Sequence, residues 1–388
     1  MISRKLLIVS NFFYPEITPR AFRTYELVKE FCKQGDKVTL ILPNKDIYHN
    51  NPVNIKNLTI LFSVSEIKKT DTTATAPIHR KKRESTVIKK LKRVVLYFFP
   101  REIYFFYNKG IITALSGISE SFDSIISIAQ PLGIHLTVTM ALRKNKYLRK
   151  TVRIAEFSDP MFHGQLSRTF PANWLYGYLF SSAFHYFVIP VESAIGAYTR
   201  FKSKANIKVI PQGFDLSDYD IAEYKPNGRI TFAYAGSFYP DLRDPRYFLD
   251  HLLNTNTDFL FKLYIPKRSL FFESLIQPYK EQLKDKLQLY ESIPRKELIY
   301  ELSKADFLIN FNNENAQMVP SKLIDYAIAG RPIISFNSRT FREKDFLAFM
   351  GGNYSDAVRV NVSDYDIKNV VSSFKSIIHS SGGDKELN

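Results

Sequence analysis

Cysteine is almost missing from this sequence: Cys32 stands alone among 388 residues. No disulfide can form within the chain, which fits a reducing compartment. Long apolar runs are missing too. No stretch approaches the roughly 18 apolar residues that a spanning helix needs. The apolar run in MISRKLLIVSN is shorter than a signal-peptide core and ends in Ser10-Asn11. A cytoplasmic protein that does not span a membrane is the expectation. No Gly-x-x-x-x-Gly-Lys loop is present, and the 7 histidines show no metal-ligand spacing. Neither a P-loop enzyme nor a metal centre is expected. Zinc and RNP-type signatures are absent, and the aromatics are clustered rather than interleaved with the charges, which argues against a nucleic-acid partner.

Acid is scarce relative to base, with 54 Lys and Arg against 38 Asp and Glu, a net charge of +16. Such an excess favours a polyanionic partner. Much of it is local: Arg80–Arg93 (RKKRESTVIKKLKR) carries eight basic residues and one acid, Glu84, and VVLYFFPREIYFFY follows it. Cations beside clustered Tyr and Phe suit an anionic membrane interface. A solvated loop followed by a core helix reads equally well there.

At 45% hydrophobic and 24% charged, the composition is that of a globular protein, and the length suits two domains. Apolar strands alternate with helical stretches: Leu6–Ser10, then a helix over Arg20–Gln34 stopped by Gly35, then Lys37–Leu42. Ser124–Ile128, Thr151–Glu156 and Phe187–Ile189 continue the series, with helices over Asn108–Ser119 and Trp174–Ala183. Asn50–Pro77 reads as part of a long insertion. The rhythm breaks near residues 207–228 and restarts at Ile230–Ala235, Phe259–Ile265, Leu287–Tyr290, Phe307–Asn310 and Ile333–Phe336. This predicts an α/β chain of two Rossmann-like, doubly wound domains, 1–206 and 207–388, facing across a cleft where ligands bind. The last helix is a candidate to pack back on the first domain.

Gln317–Ile333 (QMVPSKLIDYAIAGRPI) reads as a helix followed by a strand. Pro320 suits the first helical position. The next N–H groups lack helical partners and, with the dipole, make an anion site. Ser321 adds a hydroxyl and Lys322 a cation, a diphosphate cradle in outline. Asp325, four residues after Ser321 and about 6 Å along the axis, suits the vicinal hydroxyls of a ribose. A capped core helix would carry the same residues. A second locus is Ile230–Gly236 (ITFAYAG), a strand ending in Gly236-Ser237, with Arg243 beyond it to grip phosphate oxygens. A plain strand-to-helix turn with a surface arginine is the alternative. In the first half, Arg20 follows the first strand. Asp159 and His163 follow Arg153–Glu156 and are candidates to orient or deprotonate a hydroxyl. Asp218-Tyr219-Asp220 and Asp364-Tyr365-Asp366 read as solvated turns.

Several blocks together resemble GT-B glycosyltransferases of the family-4 (glycosyl transferase group 1) type. They are LLIVSNFFYPEITPRAFRTYELVKEF, FSDPMF, IPQGFD, YAGSF, IPRKELIYELSKADFLINF and VPSKLIDYAIAGRPI, in order along nearly the whole chain. The resemblance implies retaining transfer of a sugar from a nucleotide-diphosphate sugar to a lipid-linked or polysaccharide acceptor in cell-surface glycan biosynthesis, with no metal and no cofactor beyond the donor. Ser321 and Lys322 match the family's phosphate-binding Pro-Ser-Lys, Asp325 its ribose-binding carboxylate, and Arg243 its basic residue after the first strand of the second domain. The departures are Gln317 where an acid is usual, Ser237 where a base often follows the glycine, and Thr18-Pro19-Arg20 where a glycine pair is usual. Arg20 is a candidate extra phosphate contact. A peripheral contact with the inner membrane face through 80–107 is expected. A GT-B sugar-nucleotide epimerase and a catalytically silent membrane- or partner-binding subunit are the rival readings.

Overall fold

Parallel strands covered by helices on both faces are continuously apolar, because neither face meets water. Leu6, Leu7, Ile8 and Val9 are all fully buried, as are Leu40, Ile41 and Leu42. The computed structural model describes residues 3–63, 105–129, 131–158, 172–226, 228–238, 243–266, 275–312 and 321–383. Their contacts divide the chain into two compact units, Met1–Phe214 with Ile367–Asn388, and Asp215–Asp366.

In the first unit the elements run β1 (Lys5–Val9), α1 (Pro19–Lys33), β2 (Lys37–Leu42), α2 (Asp46–His49), β3 (Leu58–Phe62), α3 (Phe105–Ser116) and β4 (Ser124–Ile128). They continue with α4 (Gly133–Lys144), β5 (Val152–Glu156), α5 (Ala172–Ser181), β6 (Tyr186–Ile189) and β7 (Ile207–Val209). Among the described residues the strands form one parallel sheet in the order β3-β2-β1-β4-β5-β6-β7. The chain order reverses between β1 and β4. α1 starts where Thr18 accepts a hydrogen bond from the Ala21 N–H at 3.1 Å, with Pro19 in the first turn, and it ends before Gly35 at φ +91°.

Two edge strands were not among the predicted elements. β3 lies inside the stretch read as an insertion, and β7 at the stretch read as a boundary. β3 (LTILF) is largely apolar but alternates between half-covered and exposed positions, as an edge strand with a wet side does, and β7 is only three residues long. The basic and aromatic run 80–107 lies outside the described residues except for the start of α3.

The second unit holds β8 (Ile230–Ala235), α6 (Arg246–Leu253), β9 (Phe259–Tyr264), α7 (Gln277–Leu283), β10 (Leu287–Tyr290) and α8 (Arg295–Ser303). It ends with β11 (Phe307–Phe311), α9 (Ser321–Ile328), β12 (Ile333–Phe336) and α10 (Glu343–Met350). Its described strands form a parallel sheet in the order β10-β9-β8-β11-β12, reversing between β8 and β11. A core of Phe232, Phe248, Phe259, Phe261, Phe307 and Phe346 packs this sheet against its helices.

The last helix, α11 (Ile367–Gly383), belongs to the first unit. Its Ile367, Val370, Val371, Phe374, Ile377 and Ile378 join the core beneath α1. Burying each such side chain stabilises by about 1.5–3 kcal/mol. Phe374 meets Phe31 edge-on at 6.3 Å, and Lys375 pairs with the buried Asp36 at 2.7 Å. The entry of α11 explains Gly213: a Cβ there would stand 2.6 Å from Ile367 Cδ1 and 2.9 Å from its Cα.

Candidate functional site

In an open parallel sheet, ligands bind beyond the carboxyl ends of the strands where the strand order reverses. In the second unit that place follows β8 and β11. β8 is followed directly by Gly236, whose φ of +132° is one that side-chain-bearing residues rarely adopt. The geometry forbids a side chain for a second reason. A Cβ at Gly236 would lie 2.2 Å from Lys322 Nζ and 2.4 Å from its Cε.

Lys322 reaches this point from the first turn of α9. Its ammonium donates to Tyr234 Oη at 2.7 Å and sits 4.4 Å from the centre of that ring. The Tyr234 hydroxyl in turn donates to the Ser237 carbonyl at 3.1 Å, and the same carbonyl accepts from Arg243 Nη1 at 3.1 Å. So Gly236, Ser237, Arg243 and Lys322, singled out on separate motifs, come together around the end of β8. Burial, and then the nearby charge of Arg243, push the Lys322 ammonium down to about 7. Two cations held together with an N-terminal helix turn is an arrangement that an anion relieves.

α9 is fixed by its neighbours. Tyr326 is fully buried, and its hydroxyl accepts from the Ala235 N–H at 2.8 Å, tying the helix to the end of β8. One turn beyond Lys322, Asp325 receives Arg295 Nε at 2.8 Å on Oδ1. Burial pushes the Asp325 carboxyl up, and the Arg295 guanidinium opposes that shift. Arg295 starts α8 and lies 5.4 Å from the centre of the Tyr219 ring. Sequence reasoning passed over Arg295 and Tyr234. IPRKEL and YAGSF were noticed as blocks, yet nothing local says that Arg295 meets a carboxylate 30 residues on.

The remaining candidates stand elsewhere. Arg20 belongs to the first unit, half-buried in the first turn of α1. Ser321 opens α9, with a side chain outside the described set. Asp159, His163, Gln317 and Pro320 lie outside the described residues. The two Asp-x-Asp strings sit in turns: Asp218 pairs with Lys296 at 3.6 Å, and Asp364 accepts from Asn361 at 2.9 Å. Among the described residues, no group of three His, Cys, Asp or Glu side chains is placed to hold a metal ion, and no helix is long and apolar enough to cross a membrane.

No family model matches the sequence, and no curated protein matches it. Solved structures do. The lipopolysaccharide outer core galactosyltransferase WaaB, in its apo form, aligns with 97% of this chain and 99% of its own at 12% identity and a TM-score of 0.58. HepE of Anabaena, in complex with UDP and glucose, aligns with 97% of this chain and 100% of its own at 9% identity and a TM-score of 0.56. The UDP-GlcNAc 2-epimerase from Neisseria meningitidis, bound to UDP-GlcNAc, aligns with 97% and 100% at 9% identity and a TM-score of 0.57. The fold is GT-B. At such identities the likeness speaks for the fold alone. What the site binds must be argued from its own side chains.

Proposed function

We propose that the protein is a retaining glycosyltransferase of the family-4 type. In this reading it moves a sugar from a nucleoside-diphosphate sugar to a lipid-linked or polysaccharide acceptor. The observation that carries the reading is the Lys322 ammonium lying over side-chain-free Gly236, with Arg243 on the adjoining carbonyl and the first turn of α9 behind it. These groups suit a diphosphate. Asp325 is held by Arg295 through Oδ1, which leaves Oδ2 to accept from ribose hydroxyls. Neighbours of the same fold are a galactosyltransferase and a protein crystallised with UDP and glucose, which supports a nucleotide-sugar donor.

In the proposed reaction the bond from the anomeric carbon to the diphosphate oxygen breaks, and one to the acceptor hydroxyl forms on the same face. Arg243, Lys322 and the α9 N–H groups stabilise the negative charge that develops on the leaving diphosphate. That phosphate oxygen takes the acceptor's proton, so no dedicated side-chain base is required. Metal-free catalysis at the inner membrane face belongs to the same proposal.

The test is a thermal-shift screen of UDP, GDP, ADP, CMP and dTDP on the wild type, Lys322→Ala and Asp325→Ala. A ligand at 100 times its Kd stabilises by about 2.7 kcal/mol. One diphosphate should stabilise the wild type and neither variant. If none stabilises well-folded wild type, the donor site is wrong and the silent-subunit reading takes its place. The epimerase neighbour favours a second reading. Incubation with UDP-GlcNAc and no acceptor separates the two: appearance of the 2-epimer in the proton NMR spectrum would select the epimerase.

A further inference from the structure

The second concentration of charge is in the first unit. Residues 143–153 (RKNKYLRKTVR) include Arg143, Lys144, Lys146, Arg149, Lys150 and Arg153, and no acid. They close the end of α4 and lead into β5, at the amino edge of the sheet. This is the edge opposite the carboxyl-end loops. Arg143, Arg149 and Arg153 converge there on a cavity of about 380 Å³, together with Thr139, Leu142 and Ser182.

Part of the guanidinium capacity is used on backbone. Arg149 Nη2 donates to the Arg143 carbonyl at 3.0 Å, and Arg153 Nη1 donates to the Arg149 carbonyl at 3.2 Å. Arg153 Nη2 lies 2.8 Å from His185 Nε2. None of the three arginines has a carboxylate partner among the described residues. Arg153 Nε is buried with no acceptor. Lys202 adds a fourth cation next door, its ammonium pushed down by burial and by Arg153. A fold that only caps a helix end needs one such side chain. Three around one cavity suit an anion with several acceptor oxygens.

We propose that Arg143, Arg149 and Arg153 form a phosphate-binding pocket in the first unit. Its ligand is a phosphate group, supplied either as the free ion or as a lipid headgroup. The headgroup source is included because Ser182 and Ala183 of the pocket directly follow α5, which exposes Leu175, Tyr178 and Leu179 on one face. The pocket is independent of the donor site in the second unit.

The test uses the full chain with two probes: inorganic phosphate by titration calorimetry, and sedimentation with phosphatidylglycerol-containing against pure phosphatidylcholine vesicles. Arg143→Gln/Arg149→Gln removes two exposed members and leaves Arg153 to hold the fold. Lys344→Gln/Arg359→Gln makes the same charge change at exposed positions of the second unit, and Lys322→Ala disables the donor site. At least a ten-fold loss of affinity for one probe in Arg143→Gln/Arg149→Gln is expected, with the other two variants unchanged. Loss on vesicles identifies the headgroup as the source; loss on inorganic phosphate identifies the free ion. The proposal is overturned if wild type binds neither probe, if the charge-matched control loses as much, or if binding is lost with Lys322→Ala instead.

Discussion

The ammonium of Lys322 occupies the space that a side chain at Gly236 would need. The two residues are 86 apart in sequence, on different elements, yet each dictates what the other can be. Lys322 can lie across the end of β8 only because no Cβ stands there. The backbone at Gly236 also takes a φ of +132°, so it favours glycine twice over.

Gly236→Ala should therefore do two separable things. The positive φ destabilises the fold by about 1–3 kcal/mol. The new methyl displaces Lys322 and removes the diphosphate response. Thermal unfolding reads the first and nucleotide titration the second. A variant with wild-type melting and wild-type nucleotide affinity would refute the geometry.

Donor binding should depend on pH through Lys322. Its folded, ligand-free ammonium titrates near 7, below the ordinary 10.5. Between those values the unfolded chain holds a proton that the folded chain has shed, so this residue's contribution to stability rises with pH across the window and is a penalty below it. A bound diphosphate favours the charged form, so binding takes up a proton and weakens as pH rises from 7 to about 9. Calorimetry in buffers of different ionisation enthalpy measures that proton. Proton release on binding, or none at pH 8, would contradict the assignment.

Arg295→Ala leaves the Asp325 carboxylate without its cation. A hydrogen bond to a charged group is worth about 1.5–3 kcal/mol, and a loss of about 2 kcal/mol is expected in urea unfolding. Because Arg295 orients the carboxylate whose Oδ2 is proposed to accept from ribose, nucleotide affinity should fall as well. In a double-mutant cycle with Asp325→Asn the two losses should not add. Full additivity would mean that the pair does not act as one.

In the first unit, Arg23 Nε lies 2.6 Å from Glu156 Oε1, with both side chains almost wholly buried. Removing Arg23 takes the cation away from a buried carboxylate, so Arg23→Met should cost about 3–5 kcal/mol. Arg23→Met/Glu156→Gln, which removes both charges, should cost less than Arg23→Met alone. Chemical denaturation of the two variants decides it, and a double variant at least as unstable as the single would count against a coupled pair.

Much of the architecture is local chemistry and could be read from the chain. Apolar runs such as KVTLIL and SIISI make buried parallel strands. Thr18-Pro19 starts α1, and Gly35 stops it. The Pro-Ser-Lys step before LIDYAI marks a helix start with a cation in its first turn. These signals work because backbone preference and hydrophobic periodicity act over a few residues. The edge strand β3 (LTILF) lay inside a stretch that read as an insertion, and β7 (IKV) is too short to carry a periodic signal. Only the tertiary structure set Lys322 on Tyr234, 88 residues away, and Arg295 on Asp325. Only it closed Arg143, Arg149 and Arg153 around one cavity. Such contacts depend on where the sheet returns the chain. A side chain's partner across that distance leaves no mark on the residues beside it.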